Sequence, residues 1–274
     1  MVARRVGDMG KQTAKTTERS FLVINTIQNL GGATASELAI ELEMAKSTIH
    51  VHLRTLLKNG YLAREGEQYH IGLRFLNHGE YARSRKRAYM LAKNTVNELS
   101  DQIDEEVEFV VRNNNRGILV HESFHPDSQF LVKEQHAPNM ATSAGIYYHL
   151  HHVATGKAIL AELPKDRIEN ILDEWGLPAQ TDQTITEREA LFHELEQVRE
   201  EGIAFTDEEY VDGLREVGRR VKTPDGSVLG AIAIIGPKYR FSSERFTDEL
   251  PALLRNHVDE LETTIEETYM ESHL

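Results

Sequence analysis

Between Thr17 and Gly72 apolar residues recur at helical spacing in three short runs, each closed by a turn or cap signal, and few folds accept that punctuation. The first run puts Phe21, Ile24, Ile27 and Leu30 on one face, widened by Leu22 and Val23, and stops at Gly31-Gly32. Thr34-Ala35-Ser36-Glu37 has capping-box spacing, with a hydroxyl able to accept from the Glu37 amide while the Glu37 side chain reaches back. It opens a short helix carrying Leu38, Ala39 and Leu42. Met44-Ala45 then turns the chain into a third helix over 46–58, closed by Asn59-Gly60. Two short helices joined by a tight turn present the second to a DNA major groove. Tyr61-Leu62-Ala63-Arg64 and Gln68-Tyr69-His70-Ile71, around Glu65-Gly66-Glu67, form a hairpin of the size of a wing. A winged helix-turn-helix over 17–72 is therefore expected, preceded by a flexible basic arm over 1–16 and followed by one linker helix over 73–92.

Charge supports that division. The chain carries a net −13, which by itself argues against a polyanionic partner, but residues 1–93 hold 15 Lys and Arg against 8 Asp and Glu, and the remainder holds 16 against 36. A basic head on an acidic body confines nucleic-acid contact to the head. Within the third helix, Ile49, Leu53 and Leu56 face inward and leave Lys46, Ser47, His50, Val51 and Arg54 opposite. Lys46, Ser47 and Thr48 occupy the first turn, where free amides and side chains hold a phosphate. His50 and Arg54 can reach base edges and Val51 a thymine methyl, with Arg64 on the wing as a backbone contact. The run Arg83-Ser84-Arg85-Lys86-Arg87 suits either flanking phosphates or an acidic neighbour.

The body, read from its own pattern, is α+β. Val107–Val111 and Gly117–Glu122 are β-prone runs around an Asn-rich turn, and 130–133 is a short strand. Helices are expected over 155–162, 164–175 and 186–201, the last opened by a Thr186/Glu189 capping box. After Pro224-Asp225-Gly226, the apolar run Val228–Ile235 reads as a central strand buried on both faces. A long amphipathic helix over 246–269 ends the pattern.

Several separated motifs, in order, resemble the IclR family of transcription regulators. They are Ser36-Glu37-Leu38-Ala39, Lys46-Ser47-Thr48-Ile49-His50, Leu56-Leu57-Lys58-Asn59-Gly60-Tyr61-Leu62 and Tyr69-His70-Ile71-Gly72-Leu73-Arg74 in the head. In the body they are His151–Ala161 with its Gly156-Lys157-Ala158, Gly202-Ile203-Ala204-Phe205 with Asp207-Glu208-Glu209, and the stretch from Gly213-Leu214 to Gly230–Pro237. The resemblance spans about residues 17–265. It implies a GAF-like antiparallel sheet with flanking helices over 93–274, serving effector binding and oligomerisation, and operator binding modulated by a sugar, sugar acid or short organic acid to control catabolic genes. It nominates Tyr148, Ala154, Thr155, Thr206, Leu214, Glu216, Ala233 and Ile235 for the effector, the apolar ones being equally explained as core. Glu216, Val217-Gly218-Arg219-Arg220-Val221 and Tyr147-Tyr148-His149 depart from the usual family pattern. Glu216 should face solvent, pair with Arg219 or Arg220, or meet ligand hydroxyls, because an unpaired buried carboxylate is costly. Amides at the helix start Ala154-Thr155-Gly156 favour an anion.

Other classes find less support. There is no cysteine, which excludes disulfides, thiolate metal sites and a Cys nucleophile. No nucleophile elbow, phosphate loop or dinucleotide fingerprint is present, so no enzyme and no cofactor are expected. His149, His151 and His152, with His121, His125 or Glu122, raise a metal site whose spacing matches no established motif, and none is assigned. The N-terminus lacks the apolar core of a signal peptide, no run is long enough to span a bilayer, and a cytoplasmic protein is expected. Arg exceeds Lys by 20 to 11 in a carboxylate-rich chain, a mix that suggests a salt-adapted, archaeal cytoplasm. Palindromic double-stranded DNA, a small effector and a second copy of the chain (a dimer, or a tetramer) are the expected partners. An architectural DNA-binding protein whose body only oligomerises is the first alternative, with an enzyme behind it.

Overall fold

The computed structural model describes residues 13–124 and 144–271, in two compact units that meet between Arg85 and Lys86. The His125 ligand, the strand over 130–133 and most of the N-terminal arm lie outside the described residues.

The head unit holds α1 (Lys15–Asn29), β1 (Ala33–Thr34), α2 (Ala35–Glu41), α3 (Lys46–Lys58), β2 (Leu62–Glu65), β3 (Gln68–Ile71) and α4 (Arg74–Ser84). Val23, Ile27, Leu38, Ile49 and Leu53, all nearly inaccessible, make its core. The capping box forms as expected: Thr34 Oγ1 accepts from the Glu37 amide at 3.3 Å, and the Thr34 amide donates to Glu37 Oε2 at 2.7 Å. The wing is a three-stranded antiparallel sheet in the order β1-β3-β2, one strand more than the hairpin expected, because two-residue β1 is too short to leave a pattern.

The single linker helix expected over 73–92 is broken. Helix α4 ends at Ser84, Lys86 is extended (φ −110°, ψ 120°), and α5 (Arg87–Ile103) starts afresh in the body unit. Four cations within five residues repel one another on a continuous helix, whereas here Arg83 pairs with Glu80 and Lys86 lies 5.2 Å over the Tyr89 ring. The unit boundary thus falls before 92.

Among the described residues the body unit is built on a six-stranded antiparallel sheet, ordered β6-β5-β4-β9-β8-β7, with helices on both faces. Its strands are β4 (Glu106–Asn113), β5 (Arg116–Ser123), β6 (Tyr147–Tyr148), β7 (Ala204–Asp207), β8 (Leu214–Lys222) and β9 (Val228–Pro237). Asn114 and Asn115, both at positive φ, make the β4–β5 turn, and β9 runs centrally and buried. Alternation along β9 sends Ile232 and Ile234 towards α5 and α9 (Leu250–Glu271), and Ala231, Ala233 and Ile235 towards α6 (Ala154–Leu160). Helices α7 (Lys165–Trp175) and α8 (Arg188–Glu201) complete the second layer. The capping box expected at Thr186 is absent: α8 starts at Arg188, with Glu187 as an N-cap lacking a side-chain bond.

Two glycines set the height of α6. A Cβ on Gly156 would stand 2.2 Å from the Leu150 carbonyl oxygen, and one on Gly218 of β8 would stand 2.6 Å from the Ala154 carbonyl carbon. At Gly218 the helix backbone therefore rests directly on strand backbone, while Gly156 packs on the turn that leads into α6, and only glycine permits either approach.

Candidate functional site

On α3, Lys46, Ser47, His50, Val51 and Arg54 are exposed and Thr48 half-buried, with Val51 60% accessible despite its apolar side chain. The steps 47, 50, 51 and 54 keep these groups on one side of a helix whose other side is filled by Ile49, Leu53 and Leu56. Ala45 gives no side-chain cap, and the Thr48 amide donates to the Ala45 carbonyl at 2.8 Å, so the first-turn donors left are Lys46 and Ser47. Lys46 Nζ donates to Ser36 Oγ at 2.8 Å, which ties α2 to α3. Arg64 is drawn along the wing, donating to the Gly66 carbonyl at 2.9 Å and lying 5.6 Å from the Tyr69 ring centroid. His52, which sequence reasoning passed over, is buried and hydrogen-bonded to Ser20 Oγ at 2.8 Å, a core role.

In the body the nominated residues converge on the α6 face of the sheet. Glu216 is 3% exposed, and its Oε2 accepts from the Ala154 amide at 2.6 Å. The first amide of α6, expected to be free for an anion, is thus already taken by a carboxylate of the chain. Arg219 and Arg220 do not reach Glu216; they pair with Asp259 and Glu162, which removes the solvent-facing and Arg-paired alternatives together. Thr206 stands beside Glu216 on β7 and hydrogen-bonds it, and Ile235 stands beside it on β9. Leu214, Ala233 and Ile235 are buried in the apolar cluster beneath α6.

Tyr148 and Thr155 meet at a residue the sequence reading missed. Glu108, 2% exposed on β4, accepts from both hydroxyls at 3.3 Å. The signal was present: Glu106 and Glu108 alternate with Val107, Phe109 and Val111, so carboxylates occupy one face of a strand apolar on the other. Burial, reinforced by repulsion from Glu216, Glu106 and Glu122, holds Glu108 well above the usual carboxylate range. Burial also raises Glu216 to about 7, against the lowering effect of the Ala154 and Thr206 hydrogen bonds.

Lys157 is fully buried and serves structure. Its ammonium lies 2.6 Å from Glu209 and 3.1 Å from Glu194, and donates to the Phe205 carbonyl at 3.2 Å, which pins the segment after β7 to α6. The histidines form an aromatic knot: His152 stacks on Tyr210 at 5.1 Å, His149 meets Trp175 edge-on, and His151 bonds the Pro178 carbonyl. His121 instead stacks on Phe109, a residue of the cluster under α5 and α9. No group of three metal-ligating side chains gathers among the described residues.

Residues 16–66 match the IclR helix-turn-helix domain, and residues 84–263 match the C-terminal domain of bacterial IclR transcriptional regulators. The chain belongs to the IclR family. Among its relatives is a Halobacterium salinarum protein named "Probable HTH-type transcriptional regulator ArcR", 31% identical over 89% of this chain and 91% of its own length. The Escherichia coli K12 transcriptional repressor AllR is 25% identical over 94% of this chain and 92% of its own. A crystal structure of an IclR homologue from Microbacterium hydrocarbonoxydans, complexed with 4-hydroxybenzoate, superposes with a TM-score of 0.74 at 17% identity, covering 91% of this chain and 98% of that one. The IclR architecture, a DNA-binding head and an effector-binding body, is therefore the setting for both candidate sites, and the family is one of transcription regulators rather than enzymes.

Proposed function

We propose that this IclR protein is a cytoplasmic homodimeric regulator that reads a palindromic operator with α3 and takes up a small metabolite on the α6 face of the body sheet. What carries the reading is the exposed row Ser47, His50, Val51 and Arg54, set on a helix whose opposite side is locked in the head core. Arg54 is assigned to a guanine edge, His50 and Val51 to neighbouring bases, and Lys46, Ser47, Thr48 and Arg64 to phosphates. Two heads reading half-sites account for dimerisation, whether or not bodies pair further. Glu216, Tyr148, Thr155 and Thr206 supply polar contacts to the metabolite, with Ala154, Leu214, Ala233 and Ile235 as walls. The 4-hydroxybenzoate complex of the Microbacterium homologue supports a small-molecule effector here. Among the described residues no helix is long and apolar enough to cross a membrane, which agrees with a soluble role.

Effector and operator must then alter each other's affinity by the same factor. Footprinting the purified protein on the DNA upstream of its own gene, with and without a panel of metabolites, tests this. Two protected half-sites separated by whole helical turns, with protection changed by a metabolite, are expected. Sequence-independent protection that no metabolite alters would favour the architectural alternative and overturn the regulator reading.

A further inference from the structure

We propose that the effector carries a cationic nitrogen, an ammonium or guanidinium group, that sits against Glu108 and Glu216; this rests on the effector site proposed above. The two carboxylates flank central strand β9 on one face of the sheet. Glu108 stands beside Ala233, itself beside Gly218, while Glu216 stands beside Ile235, whose other neighbour is Glu106. Both are almost wholly buried. The hydroxyls of Tyr148 and Thr155 are Glu108's partners at 3.3 Å, long beside the roughly 2.5–2.7 Å of a strong hydroxyl–carboxylate bond. Glu216 has one short donor, the Ala154 amide, and the Thr206 hydroxyl.

Among the described residues neither carboxylate has a cation in ion-pair contact. The nearby candidates are committed elsewhere: Lys157 to Glu209 and Glu194, Arg219 to Asp259, Arg220 to Glu162. Paired buried carboxylates without a counter-charge are strongly unfavourable, and only a proton or a bound cation relieves them. A ligand carboxylate in the same place would add a further negative charge, and Ala154, the first amide of α6, is already occupied. With the pair ionised, the ligand end facing it is one that donates hydrogen bonds.

A cation would also displace protons. The groups facing Glu108 are Glu106 on its own strand, Glu122 on β5, Glu216 on β8, the hydroxyls of Tyr148 and Thr155, and Tyr210 beyond β7. Glu216 faces Glu209 as well, and the cation acting on it, Lys157, is already paired with Glu209 and Glu194. The proton released on binding a cation therefore comes from this carboxyl cluster.

Calorimetric titration of the full-length protein with butane-1,4-diamine, butylguanidine, ribitol and butyrate, in two buffers of different ionisation enthalpy, tests the proposal. A diamine or guanidine should bind at least tenfold better than ribitol or butyrate and release protons, and Glu108→Gln should weaken it by about tenfold or more and reduce the release. The variant's melting temperature, unchanged or raised, separates this from unfolding. Binding of ribitol or butyrate alone, weakened by Glu108→Gln, would keep the site and overturn the cationic class. A bound cation insensitive to both Glu108→Gln and Glu216→Gln would overturn the site itself. Failure of both nitrogen probes at millimolar concentration would overturn the class.

Discussion

In the head, Ser47, His50, Val51 and Arg54 stand in solvent on the far side of a helix from Ile49, Leu53 and Leu56; in the body, Glu108, Thr155, Lys157 and Glu216 are at most 3% exposed. The two units thus place their polar chemistry on opposite sides of the water boundary. An operator is a large polyanion that comes to a surface, and the surface needs only charge and donors in register. A metabolite small enough to be engulfed is judged by groups taken out of water, where each unmatched donor or charge is heavily penalised. The exposed polar residues of α3 can therefore change with little effect on stability, while these buried ones in the body are bound up with the fold.

Replacing Lys157 by Met should show the difference at its largest. It leaves Glu209 buried without its cation, and the body should lose about 3–5 kcal/mol by chemical denaturation, while head variants leave that transition in place. A loss below the range of an exposed pair would break the contrast. Arg54→Ala should weaken operator binding by about 1–3 kcal/mol in fluorescence anisotropy, with unfolding unchanged within error. Thr34→Ala removes the capping box at α2 and should cost about 1 kcal/mol of head stability, read by hydrogen exchange in α2 and α3.

A different kind of test lies in pH dependence. Glu216 is held at about 7 in the folded body against an ordinary 4.5, so the folded form keeps its proton more tightly than the unfolded chain. Its contribution is full below about pH 4.5 and is lost as pH rises through about 7. Glu216→Gln removes that loss, so the melting temperature of the variant minus that of the wild type should climb from about pH 5 to about pH 8 at fixed salt. A difference flat across that range would mean that Glu216 is not sequestered.

Much of the head was legible because its signals are local. Thr34 and Glu37 are three residues apart, the α3 stripe repeats within one helix, and Gly66 sits between two strands that pair with each other. The body was read less evenly. Strand β9, all apolar, and the Asn114-Asn115 turn announce themselves, but β8 reads Leu-Arg-Glu-Val-Gly-Arg-Arg-Val-Lys and shows no clean alternation. Its residues are chosen by distant partners: Gly218 by the Ala154 backbone, Arg219 by Asp259, Arg220 by Glu162, Glu216 by the Ala154 amide. Glu108 escaped for the same reason, since only the tertiary fold shows that its strand face turns inward towards Glu216. The break at Lys86 was hidden because a basic run has good helix propensity, and propensity does not register the repulsion between neighbouring cations.

The contact of Gly218 with the Ala154 backbone seats the start of α6 on β8 without slack, and that of Gly156 with Leu150 fixes the turn leading into it. Backbone against backbone cannot be shaved by mutation, so neither surface can be lowered or raised to suit a new ligand. In the effector site proposed above, retuning would run through side chains on the strands, chiefly Glu108 and Glu216, two positions on either side of β9. A sensor built this way diversifies by changing the wallpaper and keeping the room: a pair of substitutions could turn it towards another class of metabolite without disturbing the fold. For biosensor engineering, the first library belongs at those two codons.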